Sequence, residues 1–354
     1  MSWENKVRRV VPYVAGEQPQ DQNVIKLNTN ECPYPPAPGV EEVLHHFDGN
    51  VLRKYPDPDV TLLRNALADR YQVKPEQVFV GVGSDDVLSM AFLTFFNSDK
   101  PVLFPDITYS FYDVWADLYR IPYECQPLDE DFHWKKEDYL KENGGIVLAN
   151  PNAPTGLAVS ASQIEEIIAA NQDSVVIVDE AYVDFGAESC VPLVDKYENL
   201  LVTQTFSKSR SLAGLRIGFA IGSKKLIGYL NDAKFSFNSY TMNAPTIAAG
   251  VASVEDEEYF QKTVARVVRT RENTKKELTR LGFTFPDSST NFIFATHKDI
   301  PGEELFQALR SHNIYVRHWN KPRIQDSLRI SIGTDEEMQA LIAFLEDYLE
   351  RRGN

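Results

Sequence analysis

The chain has 354 residues, 43% of them apolar, and a formal net charge of −15. This length exceeds what one hydrophobic core usually holds, so it predicts two domains. The acidic balance disfavours binding to a nucleic-acid backbone, which requires clustered Lys and Arg, and the apolar content disfavours long disorder.

The cysteines and the N-terminus indicate a cytoplasmic protein without a metal site. Cys32, Cys125 and Cys190 are far apart and form no C-x-x-C pair, which argues against a disulfide framework or zinc site. The six histidines show no metal-ligand spacing. Residues 1–14 are charged and lack a long apolar stretch, so we expect neither a signal peptide nor a membrane anchor.

Residues 1–40 are rich in Pro, Asn and Gln and predict an extended arm. Short apolar runs then alternate with helical patterns, such as Ser162–Ala170, where Ser162 and Glu165 have the spacing of a capping box. This alternation predicts an α/β fold with a mostly parallel sheet covered on both faces. The predicted strands are 78–80, 102–104, 146–148, 175–178 and 200–202.

The pattern changes after about Asn243, and we place a domain boundary near residue 240. A long helix is predicted from Glu257 to Leu281, with Gly282 as its stop. Strand-like pieces at 292–294, 314–316 and 328–332 and a final helix from about Asp335 to Arg352 follow. The prediction is an arm (1–40) that packs with a small C-terminal domain (241–354), and a large domain (41–240).

Polar turns follow several of the predicted buried strands, and ligands in such sheets bind at the carboxyl ends of strands. Asp179 and Lys208 would lie at neighbouring strand ends. A buried Asp can keep a cofactor's ring nitrogen protonated, and a Lys can supply a Schiff-base amine. Ser84 and Asp85 at a helix start offer N–H groups to a phosphate, and Arg216 offers a fixed charge.

Three segments resemble fold-type I pyridoxal-phosphate enzymes: 150–156 (NPNAPTG), 179–182 (DEAY) and 207–218 (SKSRSLAGLRIG). More narrowly, the chain resembles the histidinol-phosphate aminotransferases through 26–31 (KLNTNE), 53–56 (RKYP), Thr108-Tyr109, Arg317 and 328–330 (LRI). The resemblance spans nearly the whole chain. It implies a fold-type I pyridoxal-phosphate transferase fold with a smaller α/β C-terminal domain.

The resemblance also implies roles for the matching residues. Lys208 would form the Schiff base with pyridoxal phosphate, Asp179 would pair with the ring nitrogen, Tyr182 with the ring hydroxyl, and Tyr109 would stack on the ring. The residues around the phosphate would be Ser84, Asp85, Thr205, Ser207 and Arg216.

For the substrate, Arg329 would bind the α-carboxylate through a bidentate fork, Arg317 is a candidate for a substrate phosphate, and Asn30 would lie near the substrate. Tyr55 would reach across a homodimer interface to the neighbouring site.

Two positions depart from the family pattern. Ala153 stands where the family has an Asn that bonds the ring hydroxyl, and Asn152 is the candidate replacement. Cys32 stands in the arm where Asn is common, and we interpret it as a bystander thiol.

The resulting hypothesis is a ping-pong aminotransferase of histidine biosynthesis that interconverts histidinol phosphate and its keto partner with glutamate and 2-oxoglutarate. Lys208 would move the proton at the substrate Cα. An aromatic-amino-acid aminotransferase and a decarboxylase of a phosphorylated amino acid such as threonine phosphate are alternatives, because the same scaffold supports both. A transcription regulator would need an appended helix-turn-helix and a basic surface.

Overall fold

The structure is a computed structural model that describes residues 2–21 and 23–353. Met1, Gln22 and Asn354, which fall in the predicted arm and C-terminal domain, lie outside the described residues. The strands are β1 (Ile25–Lys26), β2 (Val78–Gly81), β3 (Val102–Pro105), β4 (Tyr123–Gln126), β5 (Gly145–Ala149), β6 (Val176–Asp179), β7 (Leu200–Thr205), β8 (Gly218–Gly222), β9 (Phe283–Thr284), β10 (Phe292–His297), β11 (Ile314–Tyr315), β12 (Arg317–His318) and β13 (Ser327–Ser331).

The α-helices occupy the intervals between these strands. They are α1 (Pro38–His45), α2 (Thr61–Tyr71), α3 (Ser84–Phe95), α4 (Tyr112–Tyr119), α5 (Ala161–Ala170), α6 (Lys224–Phe237), α7 (Ala244–Glu255), α8 (Glu257–Arg280), α9 (Gly302–Ser311) and α10 (Asp335–Gly353). None of the helices within 2–21 and 23–353 combines the length and apolar character needed to cross a membrane.

The central sheet has seven strands in the order β2-β8-β7-β6-β5-β3-β4. All neighbours are parallel except β8, which runs antiparallel to both β2 and β7. Along β6, Val176 and Val178 enter one hydrophobic cluster and Ile177 enters the other. Both faces of the sheet are therefore buried, which confirms the predicted α/β class and explains why these strands are continuously apolar.

A third hydrophobic cluster surrounds a four-stranded sheet of order β12-β13-β10-β9. β1 pairs in parallel with β11, and Leu27 packs in this cluster, so the chain just after residue 24 is anchored to C-terminal elements. Helix α7 instead contributes Ile247 and Val254 to the first cluster. The division into three parts with a boundary near residue 240 stays a prediction.

Several predicted elements need correction. The capping box of α5 is formed by Ser160 and Gln163, not Ser162 and Glu165, because Ser160 is the last extended residue before the helix. The strand predicted at 314–316 is divided into β11 and β12. The predicted arm ends early, since Pro38 is the first residue of α1, a position where its missing N–H costs nothing.

Two strands of the central sheet were missed. β4 lies at the sheet edge with its first three residues exposed, so it lacks a buried apolar run. β8 begins and ends with glycine, a residue that is depleted in strands. The long helix is confirmed as α8, and Gly282 follows it with φ 86°.

Candidate functional site

A cavity of about 110 Å³ lies where β5, β6 and β7 end, and it contains Lys208 and Asp179. Their strands are neighbours, with Asp179 opposite Thr203 in the register. All predicted cofactor-binding residues except Asn152 line this cavity. The lining residues are Ser84, Asp85, Tyr109, Ala149, Pro151, Ala153, Asp179, Ala181, Tyr182, Thr205, Ser207, Lys208 and Arg216.

Asp179 is the buried last residue of β6. Its carboxylate accepts a hydrogen bond from the Tyr112 hydroxyl at 2.7 Å and another from the Ala181 N–H at 3.2 Å. Burial raises the pKa of Asp179 to about 6. Within the described residues it forms no salt bridge, so a cationic N–H donor in this cavity would stabilise its charged form.

The Lys208 side chain lines the cavity together with Asp179. Its Nζ donates to the Thr29 carbonyl at 3.0 Å and lies 5.8 Å from the ring centroid of Tyr182. A main-chain carbonyl is a neutral acceptor, and within residues 2–21 and 23–353 Lys208 forms no salt bridge. The amine is therefore available for reaction with a ligand in the cavity.

Two tyrosines form the walls. The Tyr182 hydroxyl accepts a hydrogen bond from Asn30 Nδ2 at 2.9 Å, and its ring packs edge-on against Phe292. The Tyr109 hydroxyl donates to Asp85 Oδ1 at 2.8 Å. Burial, followed by the adjacent Asp85 charge, holds the pKa of Tyr109 well above its usual value, so this residue remains a neutral phenol.

One end of the cavity is built to hold an anion. Helix α3 begins at Ser84, and the N–H groups of its first turn have no partner within the helix. Gly83 has φ 87°, and a Cβ there would lie 2.5 Å from Arg216 Nη2. A Cβ on Gly218 would lie 2.2 Å from the Ser84 nitrogen. Glycine at both positions therefore lets β8 and Arg216 approach the helix N-terminus.

Arg216 occupies this end in a left-handed backbone conformation, with φ 56°. Its guanidinium donates to Ser207 Oγ at 3.5 Å and forms a salt bridge with Asp85 at 3.2 Å. The Ser207 N–H donates to Thr205 Oγ1 at 3.1 Å. The Asp85 carboxylate forms the salt bridge with Arg216 and accepts the Tyr109 hydroxyl, and its negative charge would repel an anion. Asp85 can therefore bind an anion only through its main-chain N–H.

Asn152 is not brought into the cavity, which corrects its predicted role. Its Nδ2 donates to the Ile107 carbonyl at 2.9 Å and to Thr155 Oγ1 at 3.1 Å, while its Oδ1 accepts from Thr108. The amide group is thus occupied by Ile107, Thr108 and Thr155. Ala153 lines the cavity instead and offers no hydrogen-bond donor.

A second cavity of about 420 Å³ adjoins the first and shares Tyr109, Ala153, Tyr182 and Lys208 with it. Its other lining residues are Tyr13, Gly16, Asn28, Thr29, Asn30, Phe104, Pro105, Asp106, Ile107, Thr108, Ser110, Asp113, Cys125, Pro154, Arg317, Trp319, Lys321, Pro322, Arg323, Ile324 and Arg329. The predicted substrate residues Asn30, Arg317 and Arg329 are therefore brought together beside Lys208.

Arg329 holds an unsatisfied donor in this cavity. Its Nη2 donates to the Asn28 carbonyl at 3.0 Å, but its buried Nε has no partner among the described residues. The guanidinium lies 5.2 Å from the ring centroid of Trp319 and 5.3 Å from that of Phe292. A buried guanidinium without a carboxylate partner is costly unless a ligand supplies the anion.

Arg317 is held by the N-terminal segment that covers the cavity. Its Nη2 donates to the Val14 carbonyl at 3.0 Å and its Nη1 to the Ala15 carbonyl at 3.3 Å. The ring of Tyr13 stacks on Phe111 with centroids 4.1 Å apart. Tyr13 and Trp319 were missed by sequence reasoning, since a single aromatic residue in a loop carries no periodic or motif signal.

Two other predicted residues lie outside both cavities. Tyr55 is 82% exposed and stacks on Tyr240 at 4.7 Å, so the described chain does not bring it to its own site. Cys32 is half-buried, and burial raises the pKa of its thiol, which makes it a poor nucleophile.

Comparison with known proteins shows the family to which the chain belongs. The family model for aminotransferase class I and II matches residues 22–345. A histidinol-phosphate aminotransferase of Lactococcus lactis subsp. cremoris is 55% identical over 99% of this chain and 99% of its own, and one of Chromohalobacter salexigens is 53% identical over 97% and 98%.

Among solved structures, the histidinol-phosphate aminotransferase of Sinorhizobium meliloti in complex with pyridoxal-5'-phosphate has the same fold. Its TM-score is 0.84 at 24% identity, with 92% of this chain and 91% of that chain covered. The fold, the family match and the extent of identity to the curated relatives together establish that this chain is an enzyme that belongs to the class I and II aminotransferase family.

Proposed function

We propose that this enzyme interconverts L-histidinol phosphate and imidazole-acetol phosphate with 2-oxoglutarate and glutamate, in the cytoplasm, as a step of histidine biosynthesis. The names and the 51–55% identity of full-length relatives support this substrate class. The observation that carries it in the structure is the buried Nε of Arg329, which has no partner among the described residues, in a cavity that Lys208 also lines.

The smaller cavity fits pyridoxal 5'-phosphate as the cofactor. Among the described residues, the buried Asp179 has no counter-charge and the Lys208 amine forms no salt bridge, while the glycines at 83 and 218 let Arg216 and β8 approach the N-terminus of α3. These features suit a ring nitrogen, an aldehyde carbon and a phosphate, respectively. When bound, pyridoxal phosphate supplies an electron sink for the bonds at the substrate Cα.

Each residue of the cavity then has a chemical task. Asp179 would keep the ring nitrogen protonated, and Tyr182 would donate to the ring hydroxyl, a contact that Ala153 cannot supplement. Tyr109 would cover the ring. The phosphate would be bound by Ser84, the Asp85 N–H, Thr205, Ser207 and Arg216.

Lys208 would move the reacting proton. Its Nζ lies in the part of the cavity that both substrates must enter, so it can accept the proton from the substrate Cα and pass it on. The carbonyl of Thr29, its present partner, offers a resting position from which the amine is released without breaking an ion pair.

The arginines explain how two different substrates use one site. Glutamate carries a carboxylate on its Cα, whereas histidinol phosphate carries a hydroxymethyl group esterified with phosphate on its Cα. Arg329 would bind the carboxylate, and Arg317 would leave the Val14 and Ala15 carbonyls to bind the phosphate. The aromatic walls Tyr13 and Trp319 would enclose the ring of the substrate.

A homodimer is part of the proposal. Tyr55 is exposed and lies outside both cavities of its own chain, as a residue that serves a neighbouring site would be. Leu52, Tyr229, Phe237 and Tyr240 are exposed as well and would supply apolar area to such an interface.

An aromatic-amino-acid aminotransferase is the second candidate, because Phe104, Tyr109 and Trp319 would accommodate a phenyl ring as well as an imidazole. The test is a half-reaction titration of the holoenzyme with histidinol phosphate, glutamate and phenylalanine. We expect histidinol phosphate and glutamate to abolish the absorption band of the lysine-bound cofactor. No change with histidinol phosphate would refute the proposal, and release of carbon dioxide without a keto product would indicate a decarboxylase.

A further inference from the structure

The wall of the larger cavity carries charges of both signs. Positive charge comes from Lys208, Arg317, Lys321, Arg323 and Arg329, and negative charge comes from Asp106 and Asp113 beside Cys125. Burial and these two carboxylates, Asp113 before Asp106, raise the pKa of the Cys125 thiol, which places both acids close to it. A substrate with an anionic group and a basic ring would match this distribution of charge.

The two carboxylates differ in whether they are already paired. Asp106 forms a salt bridge with Arg323 at 3.2 Å and accepts the Leu128 N–H at 3.0 Å. Asp113 accepts only the N–H of the next residue, Val114, at 2.8 Å. Within residues 2–21 and 23–353 no salt bridge is formed by Asp113, although it is half-buried and lines the cavity.

We propose that Asp113 is a specificity-determining residue that selects a substrate ring with an N–H donor, such as imidazole, over a phenyl ring. This inference rests on the proposed function for the ring's identity. The free carboxylate oxygen would accept a hydrogen bond from the ring N–H, and its charge would favour an imidazolium, whose pKa is about 6.5 when free. A phenyl ring in the same place would desolvate the carboxylate without replacing its lost hydrogen bond.

A purely structural role for Asp113 is the competing explanation. It lies in the first turn of α4, where an acid interacts favourably with the helix dipole. That role would change stability when Asp113 is replaced, but it would leave the choice between substrate rings unaltered. The decisive measurement is therefore a ratio of substrates rather than an activity.

The experiment compares histidine with phenylalanine, which differ only in the ring, in the half-reaction of the holoenzyme. We expect Asp113→Leu to lower the ratio of kcat/KM for histidine to that for phenylalanine by about tenfold to a hundredfold. Asp113→Asn, which keeps an acceptor oxygen but loses the charge, should give a smaller decrease. Asp117→Asn is the matched control, since it removes the same charge from an exposed position of α4 outside the cavity.

An unchanged ratio in both Asp113 variants, or an equal decrease in the Asp117 control, overturns the inference. The inference about Asp113 and the proposed function can fail independently of each other. If the wild-type enzyme reacts with histidinol phosphate but the ratio of histidine to phenylalanine is the same in the Asp113 variants, only the inference about Asp113 is refuted. If the wild-type enzyme does not react with histidinol phosphate but the ratio of histidine to phenylalanine depends on Asp113, only the proposed substrate is refuted.

Discussion

Arg317 and Arg329 lie directly opposite each other on the antiparallel strands β12 and β13, and both line the larger cavity. Side chains at opposed positions share one face of a sheet, where like charges destabilise the pair. Neutral main-chain carbonyls accept hydrogen bonds from both groups: those of Val14 and Ala15 from Arg317, and that of Asn28 from Arg329. A bound anion would neutralise the pair.

Replacing Arg317 should reduce the use of a phosphorylated substrate far more than that of phenylpyruvate. We expect Arg317→Ala to lower kcat/KM for histidinol phosphate by about tenfold to a hundredfold, the value of a hydrogen bond to a charged group. Steady-state kinetics with both substrates would measure this. Equal losses would contradict the assignment of Arg317 to the phosphate.

Arg310→Ala is the control for the Arg317 variant. Arg310 pairs with Glu17 at 2.8 Å, outside the cavity, so its loss loosens the N-terminal segment without removing charge from the site. If Arg310→Ala reproduces the selective loss, then Arg317 acts by holding the segment and not by binding the phosphate.

Arg329→Lys should weaken the half-reaction with glutamate more than the one with histidinol phosphate. The variant keeps a positive charge but loses the planar fork that can bind a carboxylate while also donating to the Asn28 carbonyl. We expect kcat/KM for glutamate to fall by about tenfold or more, and kcat/KM for histidinol phosphate to fall less, because Arg317 would bind its phosphate. Equal losses for both substrates would contradict the assignment of Arg329 to the carboxylate alone.

Asp179→Asn should stabilise the cofactor-free protein at neutral pH. Burial raises the pKa of Asp179 from 3.8 to about 6, so the folded state binds its proton more tightly than the unfolded state. The cost of ionised Asp179 to the free energy of unfolding therefore grows as pH rises from about 3.8 to about 6, and it is constant above pH 6. Urea unfolding should show a gain of at most about 3 kcal/mol at pH 8 that shrinks toward pH 4.

With pyridoxal phosphate added, the wild type should become more stable than the Asp179→Asn variant. A protonated ring nitrogen would pair with the Asp179 carboxylate but not with Asn. Glu180→Gln is the control: Glu180 is also buried, with its pKa raised to about 7, but it accepts from Ser189, Cys190 and Gln204 away from the cavity. The Gln variant should keep the full stabilisation by cofactor. Equal stabilisation of wild type and Asp179→Asn would contradict a pairing with the ring nitrogen.

Mixing two inactive variants should restore activity if Tyr55 serves a partner's site. Lys208→Ala removes the amine, and Tyr55→Ala removes the exposed side chain. Refolding or exchanging the two together would give hybrid dimers in which one site contains both native residues. Kinetics before and after mixing would measure the gain, and no gain despite demonstrated subunit exchange would place Tyr55 outside the neighbouring site.

Much of the cofactor cavity was predictable from the chain. Continuous apolar runs such as 176–178 require burial on both faces, which fixes a parallel sheet, and the polar residues that follow each strand must then share an edge. Asp179, Lys208 and Ser84 are therefore placed together by local sequence alone. The edge strand β4 and the glycine-bounded β8 carried no such signal.

The direction of individual side chains was decided only by the tertiary structure. Asn152 and Ala153 are adjacent in sequence, yet the Asn amide donates to Ile107 and Thr155, whereas the Ala lines the cavity. Likewise, the Asp85 carboxylate faces Arg216 and Tyr109, so that only its N–H remains for an anion.

Periodicity and motif spacing act over a few neighbouring residues, so they were enough to predict the class of fold and the lysine and aspartate at its centre. Tertiary structure decided the walls of the larger cavity, since Tyr13, Asp113 and Arg329 come from distant segments that meet only when the chain packs. Which arginine is unsatisfied, and which carboxylate is unpaired, depends on those long-range contacts.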